Sequence, residues 1–474
     1  MSETIGEMII PGTYIEVRAE GLIGVGGIST GNIGVVGTAN RGPLEEVVIL
    51  GSYAEALQTF GRYDAWPENP ATTPHLTLTR TLEQLFAGGA STVHAVRVAN
   101  LAEDVEMRSM SWTVLADDTA LFTLTATSPG TWANHIVAEI TAAANGLPAR
   151  LTLTLGTARE TYDIVAASAL VAEINDASTF VTASGVSGGN DDELADTVTP
   201  APEAEQGGPD GAGATAAHIS TGLQLLATQP VNILTVAGLG ADEVSGIVLG
   251  HLEATETDGA ERIAVLGTRD DTLNGIGSDA QQISNPRAVL VAPGIVAADA
   301  ARNGADAELT PAYAAALVAG KLSTLAPHIS LTNKDVAAAG LTTYYTRAQQ
   351  KQLLQNRIMV LHRNLGIRAL RGITTDTGAF RQISVRRIVD YAKAGVRIGS
   401  NPYIGRLNNV RVRAALQATL DGFLAQMVQD EMLTDFALEV TATRAQEING
   451  IAAVNMTLRP TFSIDFIRVT MILA

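Results

Sequence analysis

Three apolar runs, Val231 to Val236, Ile263 to Leu266 and Ala288 to Val291, recur with helical stretches between them and close on glycine or on Pro293-Gly294. A strand that is apolar along its length has no face to give to water, so it must lie in a sheet covered on both sides. Such strands alternating with helices specify a parallel α/β core. At 474 residues the chain is longer than one hydrophobic core sustains, so about two to four domains are expected.

Flanking segments extend this core. Ile33 to Gly37 and Val47 to Leu50 read as two strands around Arg41-Gly42-Pro43, Thr77 to Phe86 as a helix, and Val93 to Val98 as a strand. Pro311 to Leu325 is an Ala-rich helix with Thr310 as its N-cap, because proline is tolerated at the first helical position. From about 101 to 185 the pattern turns to Thr-rich alternation, as in Leu121 to Thr125 and Leu151 to Leu155, broken at Pro129-Gly130 and Asn145-Gly146. That pattern reads as an inserted antiparallel β domain, assigned as a β-sandwich. Residues 185–215 hold seven acids and no Lys or Arg, which reads as a solvated acidic loop closing the insertion.

Beyond Tyr344 comes a Gln/Arg-rich helix, then an amphipathic helix from Val410 to Leu433 behind the N-cap candidates Asn408 and Asn409. Val412, Leu416, Leu420, Phe423, Leu424 and Met427 share its apolar face. Strands follow at Phe436 to Thr443 and Ala452 to Leu458. The resulting division is an N-terminal strand arm (1–20), a central α/β core (21–100 and 216–345), the insertion (101–215), an α+β C-terminal domain (346–460) and a C-terminal strand arm (461–474).

Both arms are unusual. Ser463 and Asp465 alternate with Phe462, Ile464 and Phe466, and Ile467, Val469, Met471 and Leu473 alternate with Arg468 and Thr470. The change of face at Phe466-Ile467 suggests a bulge. Chain ends fray unless something ties them down, so an apolar tail is expected in a sheet of its own chain or of another subunit. Near the other end, after Pro11-Gly12, Thr13, Tyr14, Ile15 and Val17 lie in a second period-two segment running to Arg18.

Charge is polarised. Residues 341–474 carry 17 Lys/Arg against 9 Asp/Glu, whereas residues 1–340 carry 14 against 40, giving −18 overall. One end therefore favours anionic partners. With 4% aromatic residues, stacking on nucleic acid is not expected, and an acidic protein surface is the partner read for the basic end. The absence of cysteine removes disulfides, thiolate metal sites and Cys nucleophiles. No apolar run suffices to span a bilayer, and Met1 to Glu7 lacks the basic start of a secretory signal, so folding in a reducing cytoplasm is expected.

Candidate chemistry is thin. Gly185-Val186-Ser187-Gly188-Gly189 has the spacing of a nucleophile elbow, yet an acidic loop follows where a helix is needed. Gly31, Gly34 and Gly37 do not open a helix, and Gly320-Lys321 falls inside one, so neither binds a nucleotide phosphate in this reading. The seven histidines show no metal-ligand spacing, and Asp191-Asp192-Glu193 lacks anything to pre-organise it around a cation. No catalytic, cofactor or metal site is assigned. Arg381, Arg386, Arg387, Lys393 and Arg397 form a basic run, either a solvated helix face or a docking surface for an acidic partner.

Several blocks, in order, resemble the tail sheath proteins of contractile phage tails and related injection systems. They are Pro11 to Glu16, Gly34 to Pro43, Gly88-Gly89 leading into Val96-Arg97-Val98, Pro129 to Asn134 (with Ala133 where glycine is usual), Val186 to Asp191, Ile383 to Ile388, and Asn408 to Leu433 with Gly450 and Pro460 behind it. Gly366 to Thr375 lacks a Trp often found there. The resemblance implies a subtilisin-like central domain used structurally and a subunit that polymerises with itself in stacked hexameric rings around an acidic inner tube. It further implies contraction, baseplate and tail terminator partners, no membrane insertion, and a place in a virion tail or injection particle assembled in the bacterial cytoplasm. On that basis Thr13–Arg18 and Phe462–Leu473 become inter-subunit arms, and the five basic residues become tube-facing candidates. Two other classes stay open: an α/β enzyme with its ligand near Gly238, Gly267 and Pro293-Gly294, and a shell or surface-layer protein.

Overall fold

The computed structural model describes residues 27–70, 72–100, 108–144, 148–185 and 194–473. Thr13, Tyr14, Ile15 and Val17, Ser187, and Asp191 to Glu193 lie outside the described residues. The chain divides into two compact units: residues 31–324 with 333–376, and, among the described residues, 27–30 with 325–332 and 377–473.

The larger unit is built on an eight-stranded sheet. Its order is Ile367–Ala369, Met359–Arg363, Ala288–Ala292, Ile263–Gly267, Ile233–Val236, Ile33–Gly37, Val93–Arg97 and Val47–Leu50. The inner strands run parallel, and both edge strands are antiparallel to their neighbours. The three apolar runs sit side by side in it and are buried residue by residue, as two-sided coverage demands. Ile33–Gly37 and Val47–Leu50 do not pair as a hairpin, because Val93–Arg97 lies between them. The first strand is buried throughout, so it takes the central place, and the half-exposed second strand takes the edge.

Two helices, Leu78–Gly88 and Pro311–Ser323, pack on each other through glycines. A Cβ at Gly88 would meet the Leu317 carbonyl, and one at Gly320 would meet the Leu85 carbonyl, so only glycine admits this approach. Pro311–Ser323 is buried at all but two of its positions, which its Ala-rich, one-sidedly unpatterned sequence allows. The sequence pattern places residues 346–376 with the C-terminal domain. They fold with the larger unit instead, since Met359–Arg363 and Ile367–Ala369 complete its sheet.

The insertion carries a four-stranded antiparallel sheet (Thr197–Pro200, Ser111–Ala116, Thr119–Ala126, Val181–Ser184), a three-stranded one (Ile136–Thr141, Arg150–Leu155, Ala158–Asp163) and the helix Ala167–Ala177. All three contribute to one core around Trp112, Phe122, Trp132, Leu151, Tyr162 and Ile174.

The smaller unit holds the helices Ile383–Ser400 and Val410–Gln429 and the hairpin Leu433–Thr441/Ala453–Pro460. Asn409 caps the second helix, its side chain accepting from the Val412 amide at 2.9 Å. Leu416, Leu420, Phe423, Leu424 and Met427 are buried there, and the hairpin's Phe436, Leu438 and Leu458 pack against the same core. Gly395 on the first helix faces the Phe423 ring so closely that a Cβ would collide with it.

Candidate functional site

Among the described residues, no segment pairs with the C-terminal tail, residues 461–473, as a ladder. Short polar contacts hold its first half. The Thr461 amide donates to the Met432 carbonyl at 3.0 Å, and the Ser463 amide donates to Gln382 Oε1 at 3.3 Å. Asp465 accepts from Gln382 Nε2 at 3.3 Å and from the Thr332 hydroxyl at 3.2 Å. These contacts turn Ser463 and Asp465 inwards, whereas Arg468 and Thr470 further along are exposed. The apolar half faces out: Phe462, Ile464 and Phe466 are exposed, and so are Ile467, Val469, Met471, Ile472 and Leu473, the last at 98%. Burying such a side chain is worth about 1.5–3 kcal/mol, so eight of them in water are a large unrealised stabilisation.

A complementary feature lies in the same unit. The hairpin Leu433–Thr441/Ala453–Pro460 is a two-stranded sheet, and among the described residues neither outer edge carries a third strand. Two-stranded sheets are marginal alone, and an open edge is a template for an extended segment.

The basic run separates into two groups. Arg386 and Arg387 are only 5% and 6% exposed, so they are not available to a tube surface, and that assignment is corrected. Arg386 donates to Asp390 at 2.6 Å and lies over the Phe380 ring at 4.2 Å. Arg387 donates to the carbonyls of Thr30, Leu325 and Ala326, and burial pushes its guanidinium down to about 10. The signal for this was in the sequence. Ile383 to Val389 is otherwise an almost unbroken apolar stretch, the mark of a buried helix start. Arg381 and Arg397 are exposed and Lys393 is half-buried, so these three remain surface charges.

In the larger unit a cavity of about 760 Å³ opens beside the carboxyl ends of the parallel strands, lined by Gly238, Asp242, Glu243, Asp270, Asp271 and His75 among others. Its carboxylates serve the surrounding backbone. Glu243 accepts from the Gly240 amide, Asp270 from the Thr272 amide, and Asp271 from the Gly294 amide and the Thr342 hydroxyl. Arg269 bridges Asp279 and Asp242 at 3.0 and 3.8 Å. These groups cap helix starts and fix loops, as carboxylates near helix N-termini do. Among the described residues no three His, Asp or Glu side chains are grouped to hold a metal ion.

Two charged cores escaped sequence reading. Arg80, 1% exposed, is stacked on Tyr63 at 3.9 Å and ion-paired with the fully buried Asp299 at 3.5 Å. Arg97, fully buried, donates to the carbonyls of Gly42 and Pro129. Around it the Gly42 amide donates to the Ser128 hydroxyl, Arg41 lies over Trp132, and Thr131 donates twice to Asp210. Gly34 to Pro43, Val96 to Val98 and Pro129 to Asn134, far apart in sequence, therefore meet at the root of the insertion.

Residues 375–474 match the family model described as the phage tail sheath C-terminal domain. Over 255 residues, 50% of this chain, the sequence is 25% identical to the tail sheath protein of Mycobacterium phage Bxz1. The chain covers 42% of that relative, about two fifths of its length. A sheath tail protein from Desulfitobacterium hafniense has the same fold, with a TM-score of 0.65 at 17% identity over 95% of this chain and 100% of that one. The contracted sheath complex of the extracellular contractile injection system PVC gives a TM-score of 0.57 at 14% identity, covering 99% and 98%. The chain is thus similar in sequence to a phage tail sheath protein, and in fold to sheath proteins of phages and contractile injection systems.

Proposed function

We propose that this chain is the structural sheath subunit of a contractile tail or injection particle, polymerising with itself in stacked rings around an inner tube and contracting to drive that tube onward. The observation that carries this reading is the tail from Phe462 to Leu473, anchored by Ser463 and Asp465 with its apolar side chains in water. A neighbour's hairpin edge would take it as an added strand, gaining backbone hydrogen bonds while alternate side chains fill the groove. Thr13, Tyr14, Ile15 and Val17 would form the second arm. Donor and acceptor on one chain make a head-to-tail contact, which closes into rings or runs on as a helical polymer according to its rotation. Exchanged strands keep the folded bodies linked while they move, and greater burial between bodies supplies the drive to contract. The parallel core, in this reading a subtilisin-like layer, works as a strut, and the strand-end cavity is given no catalytic role. Baseplate and terminator proteins would cap the polymer in a virion tail or particle assembled in the host cytoplasm.

The test is truncation. Removing residues 461–474, or residues 1–18, should leave a soluble monomer that still unfolds cooperatively. Negative-stain images showing tubes from either truncated protein would overturn strand exchange. Full-length chain appearing as small discrete particles would favour the enzyme reading, and flat sheets would favour the shell reading.

A further inference from the structure

In the larger unit the segment that completes one edge of the sheet carries a net positive charge. Between residues 311 and 375 the chain has eight Lys/Arg and a single acid, Asp335. Lys334, Arg347, Lys351 and Arg363 are exposed, and Arg368 is half-buried beside them. His362, on the edge hairpin, is held below its ordinary range by burial and by the Arg347 and Arg368 charges. At the tip of that hairpin, between the paired Arg363 and Ile367, stands Leu365, 91% exposed with φ 50°. A left-handed turn position is met cheaply by Asn or Gly, so a leucine there is both strained and solvated. The edge strand's backbone is already covered, since Asp335 bridges Arg368 and the Val336 amide donates to Ile367. This surface therefore offers side chains, an apolar knob in a basic collar, and not a strand edge.

The opposite charge sits on the insertion. No Lys or Arg occurs between residues 109 and 149, nor between 160 and 261. Asp117, Asp118 and Asp196 are exposed together at one end of its four-stranded sheet, the Asp117 amide donating to Asp196 Oδ2 at 2.9 Å. Leu194, two residues away, exposes an apolar side chain beside them.

We infer that the Leu365 hairpin tip docks on the Asp117–Asp118 end of the insertion of a second copy, seating the leucine beside Leu194 within a ring of opposite charges. The contact rests on the sheath reading above and names a pair of body surfaces in addition to the arms. It is heterologous, so it links successive copies in a ring or along a polymer. Rim charges of this kind steer and orient the approach, while the apolar contact holds it.

The chain has no cysteine, so Leu365→Cys gives one attachment point for a benzophenone maleimide on the full-length protein. After assembly and irradiation, cross-links are expected in peptides spanning 109–126 or 194–200 of another copy. Cross-links confined to any other region overturn the contact. In parallel, Leu365→Gly combined with Arg363→Glu should raise the critical concentration for polymer roughly tenfold, about 1.4 kcal/mol, without lowering the melting temperature. An unchanged critical concentration overturns it as well. Polymer with cross-links elsewhere sinks this contact alone, whereas a wild-type chain that never polymerises sinks the sheath reading and the contact with it.

Discussion

Arginine does two different jobs in this chain, and burial separates them. Arg387 lies inside the smaller unit, where it serves three backbone carbonyls. Arg387→Ala strands those acceptors, so urea unfolding should show a loss of about 3 kcal/mol. Charge at this position is thus a matter of folding, and a partner-binding assay on the variant would report mainly instability. His251 is a second, half-buried case. Burial and then the Arg262 charge push its imidazole down to about 4, and Arg262 Nη1 donates to its Nε2 at 3.0 Å, which requires a neutral ring. The unfolded chain binds this proton near pH 6.5 and the folded chain does not. Stability from this site is therefore complete above the ordinary imidazole range and is lost as pH falls towards 4. His251→Gln should flatten that part of a plot of melting temperature against pH.

Elements were legible where a period was strong. The helix Val410–Gln429 carries its expected apolar face and its Asn409 cap, and it ends before Leu433, because Glu431 takes a positive φ and Leu433 opens the next strand. The tail behaved differently. Over residues 462–466 the alternation marks which side chains point away from the body, and among the described residues the tail pairs with no strand. Ile464→Asp with Phe466→Asp changes only exposed side chains, so the melting temperature should stay within about 1 °C of wild type. Sedimentable polymer should nonetheless be lost, because a charge would have to enter the neighbour's apolar groove. Polymer at wild-type yield would show that these side chains stay in water throughout.

At the scale of the molecule, charge and connectivity matter together. Arg381, Lys393 and Arg397 are what remains of the basic run at the surface of the smaller unit. Arg381→Glu with Arg397→Glu should leave the unit folded and weaken co-assembly with an acidic tube several-fold at low salt, less so at high salt, since exposed pairs are screened. Equal co-assembly by pelleting in low salt would remove the tube-facing role. By itself the sequence determined the parallel α/β core, the inserted antiparallel strands and the Val410 helix, because uninterrupted apolar strands, period-two runs and capped helices are local patterns with few physical solutions. Tertiary structure decided what local pattern cannot carry: that Val93–Arg97 separates two strands read as neighbours, that 346–376 complete the central sheet, and that Arg386 and Arg387 are interior. It also decided that a tail whose composition asks for burial stands open. Each of these depends on which distant surface a segment meets, and that is fixed only when the whole chain has chosen its contacts.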